Sequence, residues 1–348
     1  MLATLKRLSF ESDTPMPWRK VGMMILAMVV PAVVAVSVLG RPGTIAFVAA
    51  MPACLAAMDG GLKVSTLVTL VMGMAGLLSL GQPDMALIVA PLLGAMVGIC
   101  GSFGLAKPAI RGLLTWPIFT SPILGTGQMP LMFLVFLLAM AWAIAVVWLF
   151  GEVCSSGAED RESEPYAMVF GAALAIGLTV SVWVGNRYFG EHGFWFPLTF
   201  VILVLPPHGQ LFSRTVKRSV GTVIGTALAL LAAAVTDQTW IMVALGGISL
   251  ALGFRMLPRN YTVFTALVTV AVLEVLALVS SVDRLALERI GTMAAAAGMT
   301  AALGLLGGGI LRLVRPGALE ALQETGVEDP PVSGQRRRDS RASASRAG

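Results

Sequence analysis

The residue with the most chemistry to explain is Glu274, the only charged side chain between Arg259 and Asp283. Its surroundings, A-V-L-E-V-L-A-L-V, are those of a helix in hydrocarbon, where an ionised acid costs at least about 2.5 kcal/mol. Such a group must face protein or water, meet a cation, or carry a proton. A carboxyl that takes a proton on one side of a membrane and yields it on the other could couple a gradient to transport, because each charge crossing 100 mV contributes about 2.3 kcal/mol. The structural alternative is a standing ion pair with Arg284 or Arg289. Cations stand at two helix starts: Lys217-Arg218-Ser-Val-Gly221-Thr222-Val-Ile-Gly225-Thr226, and Glu288-Arg289-Ile-Gly291-Thr292 followed by alanines. In both, a guanidinium precedes a face of Gly, Thr and Ala, small enough for close approach of membrane helices. Arg218 and Arg289 either snorkel to the surface or attract a carboxylate, with Gly221, Thr222, Gly225 and Thr292 leaving room for its body.

Other polar residues have plainer readings. Asp59, Asp84 and Asp237 fall at segment ends and suit capping or water contact. His208, in P-P-H-G, titrates near neutrality but reads first as a solvated loop residue. Trp183, Trp195 and Trp240 lie near segment borders, as in an interfacial belt, whereas Trp116, beside Pro117 in a broken segment, is placed to stack on an aromatic substrate. The three cysteines form no C-x-x-C and have no histidine nearby, so neither a disulfide framework, a metal site nor a cofactor is implied. No nucleotide-binding, zinc-hydrolase, serine-hydrolase or paired-acid motif occurs.

These residues sit on apolar segments. The 348 residues are 57% hydrophobic and 12% charged, with 38 Gly and 19 Pro, and mean hydropathy is +0.85. A soluble enzyme of this size has no use for such a mix. The expected fold is an all-α polytopic membrane protein of about twelve spans in two six-helix halves. First-half spans fall at 21–39, 44–58, 63–80, 85–105, 111–126 and 130–150, and second-half spans at 166–185, 194–207, 219–236, 239–254, 260–281 and 290–314. Segment 111–126, diluted by Pro117 and Pro122, either crosses or re-enters. With the N-terminus inside, inner segments hold 20 of the 24 Lys and Arg, and the outer loops hold only Arg41, Arg187, Arg284 and Arg289. Both termini are therefore expected in the cytoplasm. That distribution accounts for the net charge of +5 without nucleic acid.

The resulting division is an N-terminal segment 1–20, a half at 21–150, a polar linker at 151–165, a half at 166–315 and a solvated, disordered tail at 316–348. A shift of 155 residues sets Thr44 on Thr199, Pro52 on Pro207 and Lys63 on Arg218, a possible internal repeat. The aligned second and eighth spans are both short and proline-bearing. Either proline merely kinks them, or Pro52 and Pro207 open backbone at a central transport site.

From about Pro206 to Leu313 the chain resembles the fusaric acid resistance (FUSC) and aromatic acid exporter superfamily. The resemblance rests on Pro207, Arg214 and Arg218-x-x-Gly221-Thr222-x-x-Gly225, then Asn260-Tyr261-Thr-Val-Phe264-Thr265-x-x-x-Thr269, then Arg289-x-Gly291-Thr292. It implies a bacterial inner-membrane protein exporting aromatic or other small organic carboxylic acids, driven by the proton gradient and assisted by a periplasmic adaptor (membrane fusion) protein. Larger exporters of that group carry sizeable cytoplasmic domains for which 151–165 and the tail are too short. A non-transporting scaffold or subunit of an efflux assembly is thus the alternative function, and a membrane-embedded enzyme a further one. Glycines at 304 and 307–309 could pack within the subunit or in a homo-oligomer.

Overall fold

The computed structural model describes residues 14–121, 124, 129–154, 164–205, 211–236, 238–277 and 282–314. Pro207, His208, Asp237, the tail and most of the linker lie outside the described residues. Helices account for nearly all the rest, and the described residues contain no strand: α1 (Trp18–Leu39), α2 (Ile45–Ser79), α3 (Pro83–Ser102), α4 (Ala106–Leu113), α5 (Trp116–Phe119), α6 (Met129–Leu149), α7 (Glu164–Tyr188), α8 (Trp195–Leu203), α9 (Leu211–Val235), α10 (Thr239–Met256), α11 (Tyr261–Leu276) and α12 (Val282–Val314). Seven helical stretches are long and apolar enough to cross a bilayer, and two shorter apolar ones lie in α10 and α11. The chain is an all-α, multi-pass membrane protein. Its outward faces carry Leu134, Leu138, Trp148, Ile176 and Leu231, the side chains expected against lipid.

Helix α2 is two arms, as the separate spans at 44–58 and 63–80 require. Gly61 breaks it with φ 78°, a conformation open to glycine at little cost. Ser65 Oγ then donates to the Ala53 carbonyl at 2.6 Å. A straight helix would hold residues 53 and 65 about 18 Å apart, so the arms double back on each other. The fifth segment is broken into α4 and α5. Arg111 near its start pairs with Asp59 at 2.5 Å, and Ser121 just past its end donates to the Glu191 carbonyl at 3.2 Å. It therefore runs between the two ends of the bundle, and its interrupted backbone is wrapped in protein, the setting in which a membrane tolerates irregular structure.

Tie points sort the loops into two ends. Lys20–Glu152, Arg111–Asp59, Cys154 N–Ala57 O and Met16 N–Arg255 O gather residues of the segments expected inside. Ser121–Glu191 and His192–Glu288 gather loops expected outside. The same element order also recurs in each half: a long helix, a 3-10 turn (Arg41–Thr44 or Gly190–His192), a short arm, then long helices.

The halves pack unequally. One buried cluster joins α1, α2 and α6 around Met24, Phe136 and Val147. A second joins α3 and α4 of the first half to α7, α8 and α12 of the second. Here Gly94 and Gly98 of α3 meet Ala175 and Gly171 of α7 backbone to backbone, and a Cβ at Gly98 would lie 2.5 Å from the Gly171 Cα. In the first half, Gly73 and Gly76 are covered by the rings of Phe136 and Phe119, which fill that interface.

Two predictions follow from this packing. Gly98→Val forces α3 and α7 apart and should cost about 1–3 kcal/mol, read as a lower Tm in detergent, while Gly247→Ala, whose Cβ meets nothing within 4 Å, should leave Tm unchanged. Equal Tm values would contradict the contact. Single cysteines at Lys107 and Glu152 should react with an impermeant maleimide from one side of the membrane, and those at Glu191 and Arg284 from the other. Labelling of all four from one side would overturn the two-ended arrangement.

Candidate anion site

Polar side chains that the first half lacks converge on one interface of the second. Helices α9 and α11 lie in close contact along Gly221 and Gly225, where a Cβ at Gly221 would come within 2.6 Å of the Thr262 carbonyl oxygen and within 2.8 Å of the Thr265 Cβ. Glycine is thus a spacing residue that brings two rows of threonine together. Thr222 and Thr226 on α9, and Thr265 and Thr269 on α11, are buried, and the hydroxyls of Thr222, Thr226 and Thr265 have no hydrogen-bond partner. A buried hydroxyl left unpaired costs about 1–3 kcal/mol.

Arg218 opens this interface. It is 5% exposed, its Nη1 donates to the Tyr261 hydroxyl at 3.2 Å, and its Nε has no partner. Arg289 on α12 is 7% exposed. Its Nη1 donates to Thr199 Oγ1 at 3.1 Å, its guanidinium lies 5.3 Å from the Trp195 ring centroid, and its Nε is also unpartnered. Neither arginine forms an ion pair among the described residues, and the charge of Arg218 acts repulsively on Arg289. Desolvating one such ion without a counter-charge costs several kcal/mol. Two together make this part of the protein interior positively charged, with hydroxyl partners and one unpartnered Nε donor on each guanidinium.

Glu274 lies further along. The register that sets Gly225 against Thr269 places it roughly 8 Å beyond that threonine on α11, and roughly 20 Å from Tyr261. It is 1% exposed, and neither carboxyl oxygen has a hydrogen-bond partner. The standing ion pair weighed above is not formed: Arg284 Nε donates to Glu288 Oε1 at 2.9 Å, and Arg289 is held by Thr199. The helix also ends at Leu276, so Glu274 sits two residues from its last residue instead of about seven.

A feature absent from the sequence reading closes the same end of the bundle. His192 Nδ1 lies 2.6 Å from Glu288 Oε2, and its ring centroid is 5.3 Å from that of Trp195, the ring over which Arg289 is poised. Glu288 thereby ties the 3-10 turn after α7 to α12, one residue before Arg289. Nothing local in G-E-H-G-F-W signals a partner 96 residues away.

The other predicted site residues are dispersed. Thr292 is buried, but its hydroxyl bonds back to the Glu288 carbonyl at 2.8 Å. Trp116 is fully buried beside α2, donating Nε1 to Ser79 Oγ at 3.1 Å, in a packed cluster and not on the α9–α11 interface. Pro52 is buried in the first arm of α2, and Pro207 lies outside the described residues. Trp195, read as an interfacial residue, is buried instead, while Trp183 and Trp240 are exposed as a belt would have them. Thr199, Tyr261 and Trp195 are the direct partners of the two arginines, and only Tyr261 lay within a motif that drew attention.

Residues 172–303, from within α7 to within α12, match a family model described as fusaric acid resistance protein-like. No curated protein and no solved structure matches the chain. The match begins some thirty residues before Pro206, where the resemblance in the sequence starts, and takes in His192, Trp195 and Thr199. Arg218, Glu274 and Arg289 all lie inside this segment, which is similar to the fusaric acid resistance (FUSC) superfamily.

Proposed function

We propose that the protein is a proton-coupled exporter of small organic carboxylates with an aromatic body, which bind between Arg218 and Arg289. The superfamily points to membrane transport in general. The single observation that carries the finer reading is the pair of buried guanidinium groups that have no acidic partner among the described residues. A carboxylate is the ligand whose charge and planar fork match them. Glu274 is the proton-carrying group. Proton and anion alter the same small charge balance, two arginines against one acid, so each changes the affinity for the other, and this reciprocity is the basis of coupling.

The clustering of Lys20, Arg111 and Arg255 at one end supports cytoplasmic termini under the positive-inside rule, with an inner-membrane location and a periplasmic adaptor as parts of the same proposal. In this reading the purified protein should move substrate by itself. Uptake of labelled benzoate into proteoliposomes under an imposed pH gradient is the assay. Arg218→Gln and Arg289→Gln should each lower kcat/KM at least about tenfold, or about 1.4 kcal/mol. Glu274→Gln should leave transport indifferent to the gradient. Unchanged kcat/KM in both arginine variants removes the site, gradient-driven flux in Glu274→Gln removes the acid, and no flux in the wild type favours the scaffold reading.

A further inference from the structure

A cavity of about 420 Å3 opens among α7, α8, α9 and α12, within the range of roughly 300–1,000 Å3 usual for small-molecule sites. It is separate from the arginine interface yet built on the same helices. In α9 its lining residues Leu211 and Phe212 precede Arg218; in α12 Thr300 to Arg312 follow Arg289; Phe200 in α8 and Val204 just past its end follow Thr199. Since α9 runs away from the end holding Asp59 and Glu152 while α8 and α12 run toward it, all three place the cavity on that end's side of the arginines. The walls are aromatic: Tyr166 and Phe170 stack at 6.1 Å with their planes 6° apart, and Phe200 and Phe212 face the same space. Besides the Tyr166 hydroxyl, two polar groups break the apolar surface. Thr300 is 1% exposed with a hydroxyl that has no partner, and Arg312 stands at the rim with no acidic partner among the described residues.

We propose that this cavity is a second ligand site, an entry vestibule that takes the planar body of an aromatic carboxylate between Phe200, Phe212 and the Tyr166–Phe170 pair while Arg312 meets its charged head. The chemistry follows from the lining. A ring gains contact area and edge or face interactions with four aromatic side chains, the buried Thr300 hydroxyl orients it from within, and one rim cation selects an anion over a neutral or cationic molecule. An inorganic anion leaves the apolar walls uncovered, and a cation meets Arg312. The role as an entry point to the arginine interface rests on the transport reading above; the binding itself does not. Gly304 and Gly307 keep the space open. A Cβ at Gly307 would make an ordinary 3.6 Å contact with Val169 Cγ1, so a larger residue there occupies the cavity with little backbone cost.

The test uses the full-length protein in detergent and in proteoliposomes, with radiolabelled 2-naphthoate as probe and 2-naphthamide and palmitate as competitors. Gly307→Leu and Arg312→Gln should each weaken naphthoate binding at least about threefold. In vesicles they should raise KM by a similar factor and leave kcat within about twofold. Arg289→Gln should abolish flux yet keep naphthoate binding, which separates the two sites. Arg312→Gln removes an exposed side chain that has no acidic partner among the described residues, and so reports on binding even if Gly307→Leu proves unstable. The vestibule is overturned if both variants bind as wild type does, or if palmitate displaces the probe and naphthoate fails to displace palmitate, which assigns the cavity to a lipid chain. Failure of the wild type to transport, with binding still lost in these variants, overturns the transport reading and leaves the ligand site standing.

Discussion

Two positive charges held out of water, with no counter-charge among the described residues, are the constraint around which the second half of this protein is organised. Each guanidinium sheds several kcal/mol of hydration and regains part of it through one hydroxyl, a tyrosine for Arg218 and a threonine for Arg289, with an indole ring beside the latter. The surrounding choices follow. Glycines at 221 and 225 let α9 approach α11 closely enough to exclude lipid, and threonines supply polarity without bulk. Trp195 is braced by His192, which is itself tied to Glu288 and through it to Arg284. A site of this kind is stabilised when an anion enters it, which is how a buried charge becomes a binding device instead of a defect.

The two halves share an order of elements and differ in what fills their equivalent interfaces. In the first, Phe119 and Phe136 lie in the grooves left by Gly76 and Gly73, and the polar residues Ser65 and Ser79 are spent on internal hydrogen bonds. In the second, the corresponding space holds hydroxyls, two arginines and an acid. The seam between the halves, glycine on glycine where α3 meets α7, admits no side chain, so a movement of one half against the other would pass through a tightly specified contact.

Much of the architecture was legible in the sequence because bilayer thickness and charge placement are strong constraints. Most span limits agree with helix limits to within a few residues, and the two arms of α2 on either side of Gly61 fall on the separate spans at 44–58 and 63–80. Glu274 was identifiable because an ionisable residue amid apolar ones stands out, and the arginines because each precedes a helix face of Gly, Thr and Ala. What escaped notice depends on partners far apart in the chain. His192 and Glu288 are separated by 96 positions, Arg289 and Thr199 by 90, and no periodicity announces such pairs. Trp116 shows the opposite error: its neighbour Pro117 does break the segment, but the break is buried, and the indole packs against Ser79 instead of facing a passage.

The central claim is that Arg218 and Arg289 together receive an organic carboxylate, and both have an Nε proton with no partner to report it. Nitrogen NMR of arginine-labelled protein, with each signal assigned by its Arg→Lys variant, observes those protons directly during titration with benzoate and then with uncharged benzamide. The account requires both Nε resonances to move saturably with benzoate and to stay in place with benzamide. Resonances that ignore benzoate, or that respond alike to the two compounds, would contradict it.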